Sequence, residues 1–121
     1  MGRSSFELHS RPNIGLFNEL KNQGHDIIKI VLSNQWKTIP EEYQEKKEEN
    51  VILCHNWKEV KSSVLQLSHM ISEAWNIGGP QVYQAQLEDK YDTRKIEPEK
   101  LYVTKLEGVF DCDTFYPIKN V

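Results

Sequence analysis

The 121-residue sequence has little of several things, and each shortage removes a class of function. It has only two cysteines, Cys54 and Cys112, too few for the disulfide frameworks of small secreted domains and without the paired spacing of a zinc site, so both are expected to be reduced thiols. It lacks an excess of positive charge. Fifteen Lys and Arg stand against eighteen Asp and Glu, a formal net charge of -3, which argues against binding along a phosphate backbone; nucleic acid is not an expected partner. No run of about eighteen apolar residues is present to span a bilayer. The opening stretch, Met-Gly-Arg-Ser-Ser-Phe-Glu, has no apolar core of a signal peptide. A soluble, intracellular, cytoplasmic chain without membrane contact is expected, and its length suits a single domain, residues 1–121, with one modest core.

Residues 27–33, Ile-Ile-Lys-Ile-Val-Leu-Ser, form a β-branched run too short for an ordinary helix and predict a buried strand. Val51 to Cys54 predicts a second. Between them, residues 37–50 carry Pro40 and mixed Glu and Lys with no apolar face, which predicts a solvated connection with at most a helical turn. Asn56 followed three residues later by Glu59 is a capping-box-like pair, in which each side chain can satisfy the other's free backbone N–H. The helix it opens should bury the stripe Trp57, Val60, Val64, Leu67 and Ile71, leaving Lys58, Lys61, Ser62 and His69 off that face.

Trp75 to Ile77 predicts a short strand, Gly78-Gly79 a turn, and Pro80 the first-turn proline of a helix running through Val82, Tyr83 and Leu87. Residues 88–99 are polar and predict a surface loop, and Leu101 to Leu106 predicts a further strand. Alternating strands and helices indicate an α/β domain with a largely parallel sheet and right-handed crossovers. There is no internal repeat or low-complexity segment.

Two places suit a phosphate group. At Ile77-Gly78-Gly79-Pro80-Gln81-Val82-Tyr83 a strand turns through paired glycines into a helix whose positive dipole end and free N–H groups favour an anion, although a sterically relaxed turn needs the same glycines. At Met1 to Ser5, Ser hydroxyls and Arg3 precede a short helix, Phe6 to His9, which by itself reads as an ordinary N-cap. His9, His25, His55 and His69 have no metal-ligand spacing and read as solvated. Asp111 and Asp113 flank Cys112 as a turn rather than a cation site, and no Ser-His-Asp spacing supports a nucleophile.

Together these segments resemble dihydrofolate reductase. Residues 1–12, Met-Gly-Arg-Ser-Ser-Phe-Glu-Leu-His-Ser-Arg-Pro, follow without a gap the family pattern Met-Gly-Arg-Lys-Thr-Trp/Phe-Glu-Ser-Ile-x-Arg-Pro. Ile30 to Ser33 match the next strand end, and Trp75 to Tyr83 match Trp-x-Ile-Gly-Gly-x-x-x-Tyr. Leu101 to Lys105 lead into Asp113-Thr114-Phe115-Tyr116-Pro117. The five blocks keep the family's order and are separated by polar segments at 13–26, 34–50 and 84–100.

The resemblance implies a dihydrofolate-reductase-like three-layer αβα sandwich around a mostly parallel sheet, incomplete in this chain. It implies a monomer whose small-molecule substrate is dihydrofolate, reduced to tetrahydrofolate with NADPH as cofactor. Gly2, Arg3, Ser4 and Ser5 fall at the helix start that holds cofactor phosphate, and Ser33, Asn34 and Gln35 at the adenosine end. Gly78, Gly79, Pro80, Gln81, Val82, Tyr83, Gln84 and Ala85 fall beside the pyrophosphate and nicotinamide, where the family's two glycines share a cis peptide. Ile77 and Tyr83 would flank the nicotinamide and pterin, and Thr104 matches the threonine that hydrogen-bonds the catalytic carboxylate.

The chain departs from the pattern at several positions. Asn34 stands where a basic residue usually pairs with the 2'-phosphate, and Ser4 and Ser5 replace a basic residue and Thr. Gly24-His25 stands where the substrate's carboxylate meets an arginine, and His25, Lys21 or Lys29 replaces that planar fork only in part. The family's first strand, active-site loop and catalytic acid lie before the Met-Gly-Arg block, and its closing hairpin follows Asp-Thr-Phe-x-Pro, so residues 1–121 alone are expected to be inactive. Two other readings stay open: a noncatalytic remnant that binds a nucleotide or a protein partner, and a related pterin or pyrimidine reductase.

Overall fold

A computed structural model describes residues 1–11, 15–43 and 50–89. Helix α1 (Arg3–His9) and helix α2 (Leu16–Asn22) precede strand β1 (Ile28–Leu32); a 3-10 turn at Glu41–Tyr43, strand β2 (Asn50–Cys54), helix α3 (Trp57–Leu67) and helix α4 (Pro80–Leu87) follow. The strands pair in parallel, Ile28 opposite Asn50 through Leu32 opposite Cys54. The chain enters along the other edge of β1: Leu32 N–H donates to Met1 O at 2.7 Å, and Gly2 forms a parallel bridge with Leu32.

Alternation along β1 divides the molecule into layers. Lys29 and Val31 are buried on one face, where Val31 joins Phe6 of α1 and Phe17 of α2 in the core. The Phe6 ring meets Phe17 at 6.3 Å, Trp36 edge-on at 6.0 Å and Tyr43 at 4.9 Å between centroids. Cys54, in register with Leu32, lies on the opposite face, and its Sγ is 3.7 Å from Ser63 Oγ of α3. Helices therefore cover both faces of a parallel pair, the α/β layering the sequence predicts. Among the described residues, no helix is long and apolar enough to cross a membrane.

Several expectations are corrected. Segment 13–26 is not merely polar: α2 forms within it because Phe17, buried between Phe6 and His9, supplies an apolar anchor. The first helix starts at Arg3 rather than Phe6, directly after Gly2 as N-cap. Residues 37–43 are not fully solvated, since Ile39 and Tyr43 pack on the core. Trp75–Ile77 is irregular rather than a strand. No described strand pairs with it, Trp75 is exposed, and Asn76 Oδ1 accepts the Gly78 N–H in a local turn that competes with a ladder.

Helix α3 stops at Leu67 rather than Ile71. Its end is tightened by a hydrogen bond from Ser68 N–H to Leu65 O, reinforced by Ser68 Oγ donating to the same carbonyl. Its start is as predicted on one side: Glu59 N–H donates to Asn56 Oδ1 at 2.9 Å. The return contact shifts by one residue, with Glu59 Oε2 accepting His55 N–H at 2.6 Å. Lys61 is not on a wet face but buried. The strand at 101–106, the loop beyond residue 89 and the Asp111–Asp113 turn lie outside the described residues.

Candidate functional site

The site forms where two helix starts, far apart in sequence, meet beyond the carboxyl end of β1. Gly2 is the N-cap of α1 and Gly79 the N-cap of α4, both extended, and neither helix has a capping side chain or an acid in its first turn that could occupy the free amides. Gly2 N–H donates to Gly78 O at 2.7 Å. A Cβ on Gly2 would stand in ordinary van der Waals contact, 3.6 Å from Val82 Cγ2 and 3.8 Å from Gly79 N.

The turn into α4 requires glycine at position 78. Gly78 has φ +89°, a left-handed conformation, and a Cβ on it would lie 2.7 Å from the Tyr83 ring. The Gly78–Gly79 peptide is cis. Val82 N–H and Tyr83 N–H donate to Gly79 O, Pro80 contributes no N–H, and the outer side of the turn stays open at Pro80 and Gln81, both exposed. Asn76 holds the turn from below, accepting Gly78 N–H at 3.0 Å on Oδ1 and donating through Nδ2 to Gln86 Oε1 at 2.8 Å.

The third component is the end of β1. Buried Ser33 donates its N–H to Cys54 O, and its Oγ accepts from Gln35 N at 3.2 Å and Trp36 N at 3.4 Å, an ST-turn that turns Asn34 and Gln35 outward. Arg3 crosses to this loop, Nη1 donating to Gln35 Oε1 at 2.7 Å. His55 Nε2 lies 3.0 Å from Trp36 O; because a carbonyl only accepts, the ring donates there.

Charge within and beside the site follows from burial. The Met1 amino group donates to Ile30 O, and desolvation lowers its pKa. Burial pushes the Cys54 thiol up, against the opposing hydrogen bond from Ser63. Burial, then Glu42 and Glu7, raises Tyr43. Among the described residues no three His, Cys, Asp or Glu side chains converge to hold a metal ion.

The structure brings together Gly2, Arg3, Ser33, Gln35, Gly78, Gly79, Val82 and Tyr83. Asn34 and Ser4 are exposed, while Ser5 is half-buried in α1. Gln84 is tied to Glu88 and Ala85 lies in the second turn of α4, both away from its start. Ile77 packs against the apolar core. His25 and Lys21 are exposed, whereas Lys29 is buried with its ammonium 4.8 Å from the Phe17 ring centroid. Thr104 lies outside the described residues. Sequence reasoning passed over Asn76, although Asn two residues before Gly is a recognised Asx-turn signal, and over the link from His55 to Trp36, which no local signal announces.

Comparison with known proteins finds two similar sequences. The chain is 29% identical over 101 residues to the dihydrofolate reductase of Heliothis virescens, covering 68% of this chain and 50% of that protein. It is 33% identical over 67 residues to the dihydrofolate reductase of Drosophila melanogaster, covering 55% and 33% respectively. The chain is dihydrofolate-reductase-like. It spans at most about half the length of the curated relatives it matches. No family model and no solved structure matches it.

Proposed function

We propose that residues 1–121 form one incomplete dihydrofolate-reductase-like domain that binds NADPH across the junction of α1, α4 and the end of β1. The observation that carries the proposal is the hydrogen bond from Gly2 to Gly78, which sets two uncapped helix starts side by side with no acid in the first turn of either. Such an arrangement fits the phosphates of a dinucleotide, and the Ser33–Gln35 loop with Arg3 fits its adenosine end. Bound NADPH supplies a hydride. Arg3, Gly79 and Gln81 would hold its phosphates and Gly2 would line their site without donating to them, Tyr83 would bound the nicotinamide with its ring against Gly78, and Ile77 would close the inner wall.

The reaction of the whole protein is, on this reading, reduction of dihydrofolate to tetrahydrofolate in cytoplasmic one-carbon metabolism by a monomer, with Thr104 supporting the acid that protonates the pterin. That acid has no counterpart within residues 1–121, so the chain alone should bind cofactor without turnover. Arg3 reaches the adenosine end through Gln35 but is also paired with Glu7 at 4.0 Å, while Asn34 adds no charge; NADPH should be favoured over NADH only modestly.

Calorimetric titration of the purified chain with NADPH and with NADH tests the proposal, alongside an assay of dihydrofolate-dependent NADPH oxidation. Saturable NADPH binding without oxidation is expected. Failure of a cooperatively folded chain to bind either nucleotide would overturn the proposal.

A further inference from the structure

Helix α4 presents the Gly79 end of the site, yet little apolar surface holds it. Val82 is its one buried side chain, and polar contacts tie it at three places: Gly2 to Gly78 at the start, Asn76 to Gln86 along the side, and a buried ion pair at the far end. There Lys61 Nζ stands 3.0 Å from Asp89 Oδ1, with side chains only 5% and 9% exposed, and the Trp57 indole donates to Asp89 Oδ2 at 3.3 Å. Both carboxylate oxygens are engaged by α3.

Two opposite charges buried together gain little net stability over apolar packing, but each demands the other in one place, because moving either away leaves an uncompensated charge in a dry environment. That property fixes position. We propose that Asp89, gripped by Lys61 and Trp57, is a positioning residue that clamps the carboxyl end of α4 to α3, and thereby holds the Gly78–Gly79 turn in register with Gly2. The inference rests on the nucleotide-binding reading above for its functional consequence, and on geometry alone for the clamp.

The clamp is tested without nucleotide by hydrogen exchange. In Asp89→Asn the α4 amides of residues 83–88 should exchange about tenfold faster, while those of β1, residues 28–32, keep their rates, since the apolar core is untouched. Unchanged α4 exchange would overturn the clamp. Lys61→Arg, which retains a cation able to reach the carboxylate, should keep α4 protection within about threefold of the original, and loss as large as in Asp89→Asn would overturn the pairing argument. Should Asp89→Asn fail to fold, Trp57→Phe removes only the indole donor; α4 exchange about threefold faster is expected, and no change would overturn the proposal.

NADPH titration then tests the link to the site. Asp89→Asn should weaken binding about tenfold and Lys61→Arg should keep it within about threefold of the original, with the β1 amides equally protected in all three proteins. Equal affinity in Asp89→Asn and the original chain would refute the link while leaving the functional proposal standing. Absence of NADPH binding in the original chain would overturn the functional proposal and the link together, and the exchange data would still judge the clamp.

Discussion

The helices around the sheet are held by different means. On the α1–α2 side, Phe6, Phe17 and Val31 are buried together and ringed by Trp36, Ile39, Tyr43 and Val51, an aromatic cluster whose strength grows with the area removed from water. On the α4 side Val82 is the buried apolar anchor, and directed contacts do the rest: Gly2 with Gly78, Asn76 with Gln86, and Asp89 with Lys61 and Trp57. Apolar burial tolerates small displacements, whereas hydrogen bonds and ion pairs fail when geometry changes. Stability therefore resides mainly on the first side and precise placement of the site on the second.

Breaking the first side should cost most. Phe6→Ala removes a fully buried ring at the centre of the cluster and is expected to lose about 3–5 kcal/mol, close to the whole stability of a small domain. Urea denaturation followed by tryptophan fluorescence should show a transition moved to far lower denaturant or no cooperative transition at all; a shift worth under about 1 kcal/mol would contradict the assignment of stability to this side.

Breaking the second side should affect binding more than folding. Gly78→Ala places a Cβ 2.7 Å from the Tyr83 ring on a backbone with φ +89° and should cost about 1–3 kcal/mol. Parallel melting and NADPH titration should show NADPH affinity reduced about tenfold or more in a chain that still melts cooperatively. Retained affinity would remove the distinction drawn between the two sides.

Helix α3 serves as the support for both, because it packs on the sheet and carries Lys61 and Trp57. Asn56→Ala deletes its N-cap bond to Glu59 and should cost about 1 kcal/mol. Its thermal midpoint should drop by several degrees with NADPH affinity changing by less than about threefold, a milder and more evenly shared loss than either preceding variant.

The smallest effect lies at the seam. Burial raises the Cys54 pKa in the folded chain above the usual thiol value of about 8.5, so the folded state binds more protons than the unfolded state above that pH. The stability this contributes is complete below about pH 8.5 and declines as pH rises through the folded value. Melting temperatures between pH 8 and 10 should fall more steeply for the original chain than for Cys54→Ala. Parallel slopes would show that the buried thiol does not contribute.

What could be seen in the residues themselves was local. The β-branched runs at 27–33 and 51–54, the Asn56–Glu59 pair and the Gly-Gly-Pro entry to α4 each carry their signal within a few residues, and the structure has the two strands, the cap and a helix bounded by Pro80 and Leu87. Gly78 was legible for the same reason: a left-handed turn restricts residue type at the position itself. Asn76 announced itself by its distance from Gly78 and was passed over.

The remainder depended on groups distant in sequence. Nothing near Lys61 marks it as buried, because its counter-charge, Asp89, is supplied by the end of another helix. Nothing within 13–26 marks α2 strongly, because Phe17 becomes an anchor only when Phe6 and Val31 are beside it. Trp75–Ile77 has the composition of a strand, yet a strand exists only where a partner satisfies its backbone, and no described strand does. Sequence by itself determined the short-range elements, the glycine turns and the dihydrofolate-reductase-like order of motifs, since sterics and capping act over a few residues. Tertiary structure alone decided which helices are held by apolar burial and which by charge, and that Gly2 meets Gly78, because burial and pairing belong to two partners and are written in neither one.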